Sequence, residues 1–195
     1  MLACGNLLLH SGGCPVSFSV RAGERLRISR DAPDTSRLLF QLLACRRQPP
    51  RRTDTYLRLN GQNLLGATAF ECSRRGVQLA GEPLEPIKGL TLRQNLQLSA
   101  ADGLFRVDEV FARLPRLVDF AEARGELIPP SLYSELSLAR VLVRPTQLLL
   151  VSGSLPISLA MELADRGVSV IFGAEASVPN GLKTPVLKLP VLSAV

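Results

Sequence analysis

A chain of 195 residues with 46% apolar and 21% charged side chains is long enough to bury a sizeable core, and this composition excludes an intrinsically disordered protein. The formal net charge is +6, and its densest basic run is Arg46–Arg47 with Arg51–Arg52 around Pro49–Pro50. With two tyrosines and no tryptophan, little aromatic surface accompanies that run, so it reads as a solvated loop and no nucleic-acid partner is expected.

No stretch approaches the roughly eighteen apolar residues of a membrane-spanning helix. The opening MLACGNLLLHSGG lacks the basic and apolar regions of a secretory leader, so a cytosolic chain is expected. Cys4, Cys14, Cys45 and Cys72 are widely spaced and His10 is the only histidine. A zinc site from Cys4, His10 and Cys14 would match no common spacing, and reduced thiols acting as small apolar residues are the expectation.

Leu7–Leu9 and Val16–Val20 read as strands, and the alternating Arg25–Ser29 reads as a third. Asp34–Ala44 reads as a helix with Leu38, Leu39, Leu42 and Leu43 on its apolar side and aspartates near its start, where the helix dipole favours them. Thr55–Leu59 is an alternating strand that turns at Asn60–Gly61, a hairpin signal. Strand Val77–Ala80 leads through a loop to a helix beginning near Thr91. Val107–Ala123 and Ser134–Val143 read as helices, and Gln147–Val151 and Val168–Phe172 as buried strands joined by a helix over Leu159–Arg166. The tail Val178–Val195 carries Pro179, Pro185 and Pro190 with a short strand pattern. This alternation implies an α/β core interrupted by a helical insert.

Four stretches, in this order, resemble an ATP-binding cassette (ABC) ATPase: VSFSV from Val16, GERLRISRDAPDTSRLLFQLLAC over Gly23–Cys45, TYLRLNGQNL from Thr55, and RRGVQLAGEPLEPIKGLTLRQNLQL over Arg74–Leu98. The likeness spans roughly Asn6 to Phe172. It implies a P-loop NTPase-like cassette with a mixed sheet flanked by helices, an antiparallel β hairpin region and a helical subdomain. The expected division is one domain, residues 1–195, with a core of 1–81 and 138–195 and an insert of about 82–137.

Against that resemblance the chemistry is missing. The family's phosphate loop reads GxxGxGK[ST]; here its three glycines fall on Arg30, Pro33 and Thr35, its lysine on Ser36 and its magnesium-binding hydroxyl on Arg37. Pro33 has no N–H to offer a phosphate. The adenine-stacking aromatic falls on Ser11. The signature LSGGQ falls on Ile128-Pro129-Pro130-Ser131-Leu132, where two prolines delete donors. The magnesium aspartate and catalytic glutamate fall on Ser152 and Gly153, and the switch histidine on Glu175. Ser152 is a poor ligand for a hard cation, and Gly153 cannot polarise a water.

The resemblance therefore implies a hydrolytically inactive, non-catalytic subunit with no cofactor, no metal and no nucleotide site. It would scaffold or regulate an ABC transporter by pairing with an intact ABC ATPase, a permease or both, at the cytoplasmic face of the inner membrane. In the family, the segment Glu82–Leu96 receives the permease, so Glu82, Leu84, Ile87 and Leu90 are the expected partner-binding residues. Two alternatives stay open: a soluble adaptor unrelated to transport, and an enzyme whose chemistry has moved to Glu82, Glu85 or Glu175.

Overall fold

The computed structural model describes residues 1–11, 13–50, 53–100, 103–177 and 184–190. Arg51, Arg52 and Pro179 lie outside the described residues. The chain forms two compact units, one of Met1–Leu79 with Gln147–Val195 and one of Ala80–Thr146. The boundary at 138 drawn from the sequence falls within a helix, Tyr133–Leu142, that belongs whole to the second unit.

In the first unit, β1 (Leu2–Leu7), β2 (Val16–Val20), β4 (Tyr56–Leu59) and β5 (Gln62–Asn63) make an antiparallel sheet of order β2-β1-β4-β5. β1 begins five residues before the expected Leu7, because Leu2, Cys4 and Leu7 share the buried side of a strand that pairs with both neighbours. The hairpin between β4 and β5 turns at Asn60 (φ 49°) and Gly61 (φ 81°), the two left-handed positions that an Asn-Gly pair supplies at low strain.

A second sheet runs β6 (Val77–Ala80), β7 (Leu148–Val151), β8 (Ser169–Phe172), β3 (Arg25–Ile28) and β9 (Val186–Leu187). The pairs β3–β8, β3–β9 and β7–β8 of this sheet are parallel, and the expected antiparallel hairpin region is the first sheet. β7 and β8 are buried at all four positions each, which explains their unbroken apolar sequence. Leu148, Leu150 and Ile171 join Ile28, Leu39, Leu42 and Leu43 in one core. Helix α6 (Ile157–Asp165) packs on β8 and buries Leu159, Ala160 and Leu163.

Helix α1 (Pro33–Leu43) follows β3 and ends in a full Schellman cap. Cys45 N–H donates to Leu42 O (3.0 Å) and Arg46 N–H to Gln41 O (2.8 Å). The left-handed residue of that cap is Cys45 (φ 54°), where glycine would avoid a strain of about 1 kcal/mol. A short helix missing from the sequence reading, α2 (Ala69–Arg74), starts with a capping box. Thr68 Oγ1 accepts from Glu71 N–H (3.2 Å) and Glu71 accepts from Thr68 N–H (2.7 Å). Its signal was present as T-x-x-E, but six residues carry too little periodicity to be noticed.

The second unit holds α3 (Leu92–Ser99), α4 (Val107–Arg113) and α5 (Tyr133–Leu142), packed on one another. The single helix expected over Val107–Ala123 is broken. α4 stops at Arg113, Leu114 is extended (φ −125°, ψ 70°), and a 3₁₀ turn occupies Pro115–Phe120. Pro115 is the cause: it disfavours helical backbone at the residue before it and cannot donate to the preceding turn. Arg93 fastens this unit from its surface, with Nη1 on Asp108 (2.5 Å), Nε on Glu122 (2.7 Å) and its guanidinium 5.1 Å from the Phe111 ring centroid.

Leu150 tests how far the first core depends on its central strand. Its side chain is 0% exposed, so Leu150→Ala should lower unfolding free energy by about 2–5 kcal/mol. Urea denaturation followed by circular dichroism checks this; a loss below about 1 kcal/mol would mean that the parallel sheet is not the core's centre.

Candidate functional site

The turn Ser29–Ala32 joins β3 to α1, where the resemblance expects the start of a phosphate loop. α1 begins at Pro33, so residues 33 to 37, which include four of the expected motif positions, form the start of the helix. Ser36 N–H is already bonded to Ala32 O (2.9 Å). The N-cap is Ala32, with no side-chain cap. Neither aspartate caps the helix as expected: Asp31 accepts from Ser29 Oγ (2.7 Å), and Asp34 lies 3.8 Å from Arg37.

Ser36 is the residue expected at the family's lysine position. It is 4% exposed, and its Oγ accepts from the N–H of Ala174, beyond the end of β8 (3.0 Å). A Cβ at Gly173 would lie 3.3 Å from that oxygen and 3.2 Å from Phe40 Cε2. The junction is therefore tightly packed, with the Ser36 hydroxyl held by a backbone group. Thr35, at the third glycine position, is 1% exposed and donates to Pro190 O (2.9 Å). The tail reaches this point because β9 runs beside β3, with Arg27 N–H on Pro185 O and Ser29 N–H on Leu187 O (2.9 Å each).

The structure brings two of the displaced motif positions into contact. Arg37 Nη2 is 3.4 Å from Glu175 Oε1, both well exposed. Arg30 and Pro33 are exposed on the same turn. Arg30, Arg37, Asp31, Asp34 and Glu175 are all exposed. Ser152 and Gly153, half-buried, follow β7, and Ser154 pairs with Ser177 in an isolated parallel bridge. Ser11 is exposed. Among the described residues no group of three or more His, Cys, Asp or Glu side chains converges to hold a metal ion.

In the second unit, Pro129 precedes a 3₁₀ turn, Pro130–Leu132, that runs directly into α5. Ile128 and Leu132 are buried while Pro130 and Ser131 are exposed. The expected docking segment belongs to the same unit. Glu82, Leu84 and Ile87 are exposed, with Leu84 at 43% and Ile87 at 51%. Leu90 is half-buried and belongs partly to the loop's anchorage.

That anchorage is a polar hub which sequence reasoning missed. Asn95 is 1% exposed. Its Oδ1 accepts from Ile87 N–H (2.8 Å) and Arg140 Nη2 (2.8 Å), and its Nδ2 donates to Ile87 O (3.2 Å), Leu90 O (3.3 Å) and Thr91 O (3.0 Å). An asparagine in the apolar stripe of a short helix was the available signal. Gly125 N–H donates to Leu90 O (2.8 Å), and a Cβ on Gly125 would lie 2.4 Å from Ile87 O. Glu126 accepts from Gly89 N–H (2.9 Å), and this bond, with one from its own backbone, holds its carboxyl below the usual glutamate range.

Two outcomes follow. Ser36→Ala leaves the Ala174 N–H without its acceptor and should cost about 1–3 kcal/mol. Ser36→Lys must in addition house an ammonium in packed space and should cost more. If Ser36→Lys unfolds at the wild-type denaturant midpoint, the junction is looser than described. For Glu126 the folded-state pKa is lowered, so its contribution is present above the ordinary glutamate range and lost as pH falls through the lowered value. The Gly89 amide resonance should titrate with a midpoint below that of an ordinary glutamate, and Glu126→Gln should abolish the titration.

No family model matches the sequence, and no curated protein matches it. Solved structures do. The chain is similar to an ATP-binding subunit of an ABC transporter at 18% identity, with a TM-score of 0.67 over 89% of this chain and 79% of that one. It is similar to a nucleotide-free ATP-binding cassette from an ABC transporter at 14% identity, with a TM-score of 0.64 over 88% and 80%. It is also similar to cbiO1 from Clostridium perfringens, part of the ABC transporter complex cbiONQ, at 12% identity, with a TM-score of 0.63 over 90% and 77%. Identities this low establish architecture alone, and the chain has the fold of an ATP-binding cassette.

Proposed function

We propose that this chain is a non-catalytic cassette subunit that scaffolds or regulates a membrane ABC transporter complex. It would pair with an intact ABC ATPase, bind a permease, or do both. The observation that carries this reading is Ser36: where the family needs a lysine on phosphate, a buried hydroxyl is bonded to the Ala174 amide. Pro33 at the first helical position, Ser152 and Gly153 after β7, and the Arg37–Glu175 pair all point the same way. Phosphoryl transfer depends on positioning and charge stabilisation by several groups acting together. None of those groups is supplied by the residues at the corresponding positions.

The partner surface under this reading is the segment from Glu82 to Leu90. Leu84 and Ile87 present apolar side chains to solvent from a loop tied down by Asn95, Gly125 and Glu126. A preordered loop loses less entropy on docking. Among the described residues no helix is long and apolar enough to cross a membrane, so attachment at the cytoplasmic face of the inner membrane would pass through the partner. One of the similar proteins, cbiO1, is described as part of a transporter complex, which supports the same kind of assembly here.

The purified chain should show no magnesium-dependent ATP turnover, and Ser36→Lys alone should not restore any. Phosphate release that scales with chain concentration, and is lost in Arg37→Ala, would contradict the proposal. Leu84→Glu with Ile87→Glu should abolish co-sedimentation with membranes while leaving the thermal transition unchanged, because both side chains already face solvent. Membrane association that persists in the folded double variant would exclude this surface as the docking site.

A further inference from the structure

Among the described residues, the strands that end a sheet are unequal. β5 and β9 are two residues long, and β6 is buried at three of its four positions. β2 runs five residues, Val16–Val20, with no strand on its outer side. Edge strands are normally blunted by charge, proline or a bulge, because their outward N–H and C=O groups template further pairing. β2 contains no charged residue and no proline, and the extra residue in its pairing with β1 lies in β1, between Cys4 and Leu7. Its inner side is incompletely covered. Val16 and Val20 are buried, but Phe18 between them packs on the core and stays half-buried, while its register partner Cys4 is 2% exposed. Ser17 and Ser19 are exposed on the other side. The strand also reads the same in both directions, V-S-F-S-V.

We propose that β2 is a self-association edge: it pairs antiparallel with β2 of a second copy of this chain and joins the two four-stranded sheets into one. A two-fold axis at Phe18 opposes Val16 to the second copy's Val20, Ser17 to its Ser19 and Phe18 to its Phe18. Each residue type meets itself, and the inner and outer sides of the two sheets stay matched. Aromatic and hydroxyl cross-strand pairs favour this register, and the second Phe18 covers the first. No charge within the strand opposes it. The nearest cation, Arg21, falls opposite the second copy's Pro15, about 20 Å along the strands from the other Arg21. The ends of the pairing are set by the chain. Pro15 has no N–H to donate, and the Arg21 N–H is taken by Glu24 (2.7 Å) in the turn that follows β2. One short strand pair buries less than the roughly 1,000 Å² of a stable interface, so the dimer is weak and concentration-dependent. This inference does not rest on the proposed transporter role.

The test is sedimentation of the full reduced chain between about 10 μM and about 1 mM, the range in which a weak dimer forms. Wild type should pass from monomer to dimer. Ser17→Lys with Ser19→Lys opposes like charges twice across the axis and should stay monomeric. Ser17→Lys with Ser19→Glu opposes lysine to glutamate twice and should restore the dimer. Both variants lose the bond from Asn6 N–H to Ser17 Oγ (2.9 Å), so a measurement on wild type stands beside them in case they fail to fold. Hydrogen exchange of the Val16–Val20 amides should slow as concentration rises. Overturning results are a wild-type monomer throughout the range, a dimer whose Val16–Val20 exchange does not change with concentration, or two folded variants that sediment alike.

Discussion

The hydrogen bond from the Ala174 amide to the Ser36 hydroxyl ties α1 to the segment after β8 at the point where the parallel sheet ends. α1 can start at Pro33 because the position that would reach outward to a phosphate turns inward instead. Gly173 packs closely against Phe40 and Ser36, where a Cβ would lie 3.2 Å and 3.3 Å from them. The tail pairs with β3 and ends its contact on Thr35. Ser36 and Thr35 are thus structural parts of the junction.

The second unit distributes its polar groups on the same principle. Asn95 spends both ends of its amide on the backbone of residues 87 to 91 and shares its oxygen with Arg140. A buried amide so fully bonded is costly to disturb, because every lost bond leaves a desolvated partner. Rigid backbone therefore carries Leu84 and Ile87 in the open.

Much of this was legible in the sequence. The apolar runs of β7 and β8 announced buried strands, and Asn60–Gly61 announced its hairpin. Other features were not. The true start of β1 depends on pairing with β2 and β4, which lie far along the chain. The break at Leu114 was written in Pro115 but masked by continuing apolar periodicity. The Asn95 hub is a tertiary fact that no local spacing encodes. That Arg37 and Glu175 face each other was invisible as well, although each had been singled out by its motif position.

The central claim is that the nucleotide site is filled by the protein's own groups. Calorimetric titration of the purified wild-type chain with magnesium ATP tests it most directly. The account predicts no saturable heat at millimolar nucleotide and no change in melting temperature. Saturable binding at micromolar concentration, with a rise in melting temperature that is lost in Arg37→Ala, would contradict it.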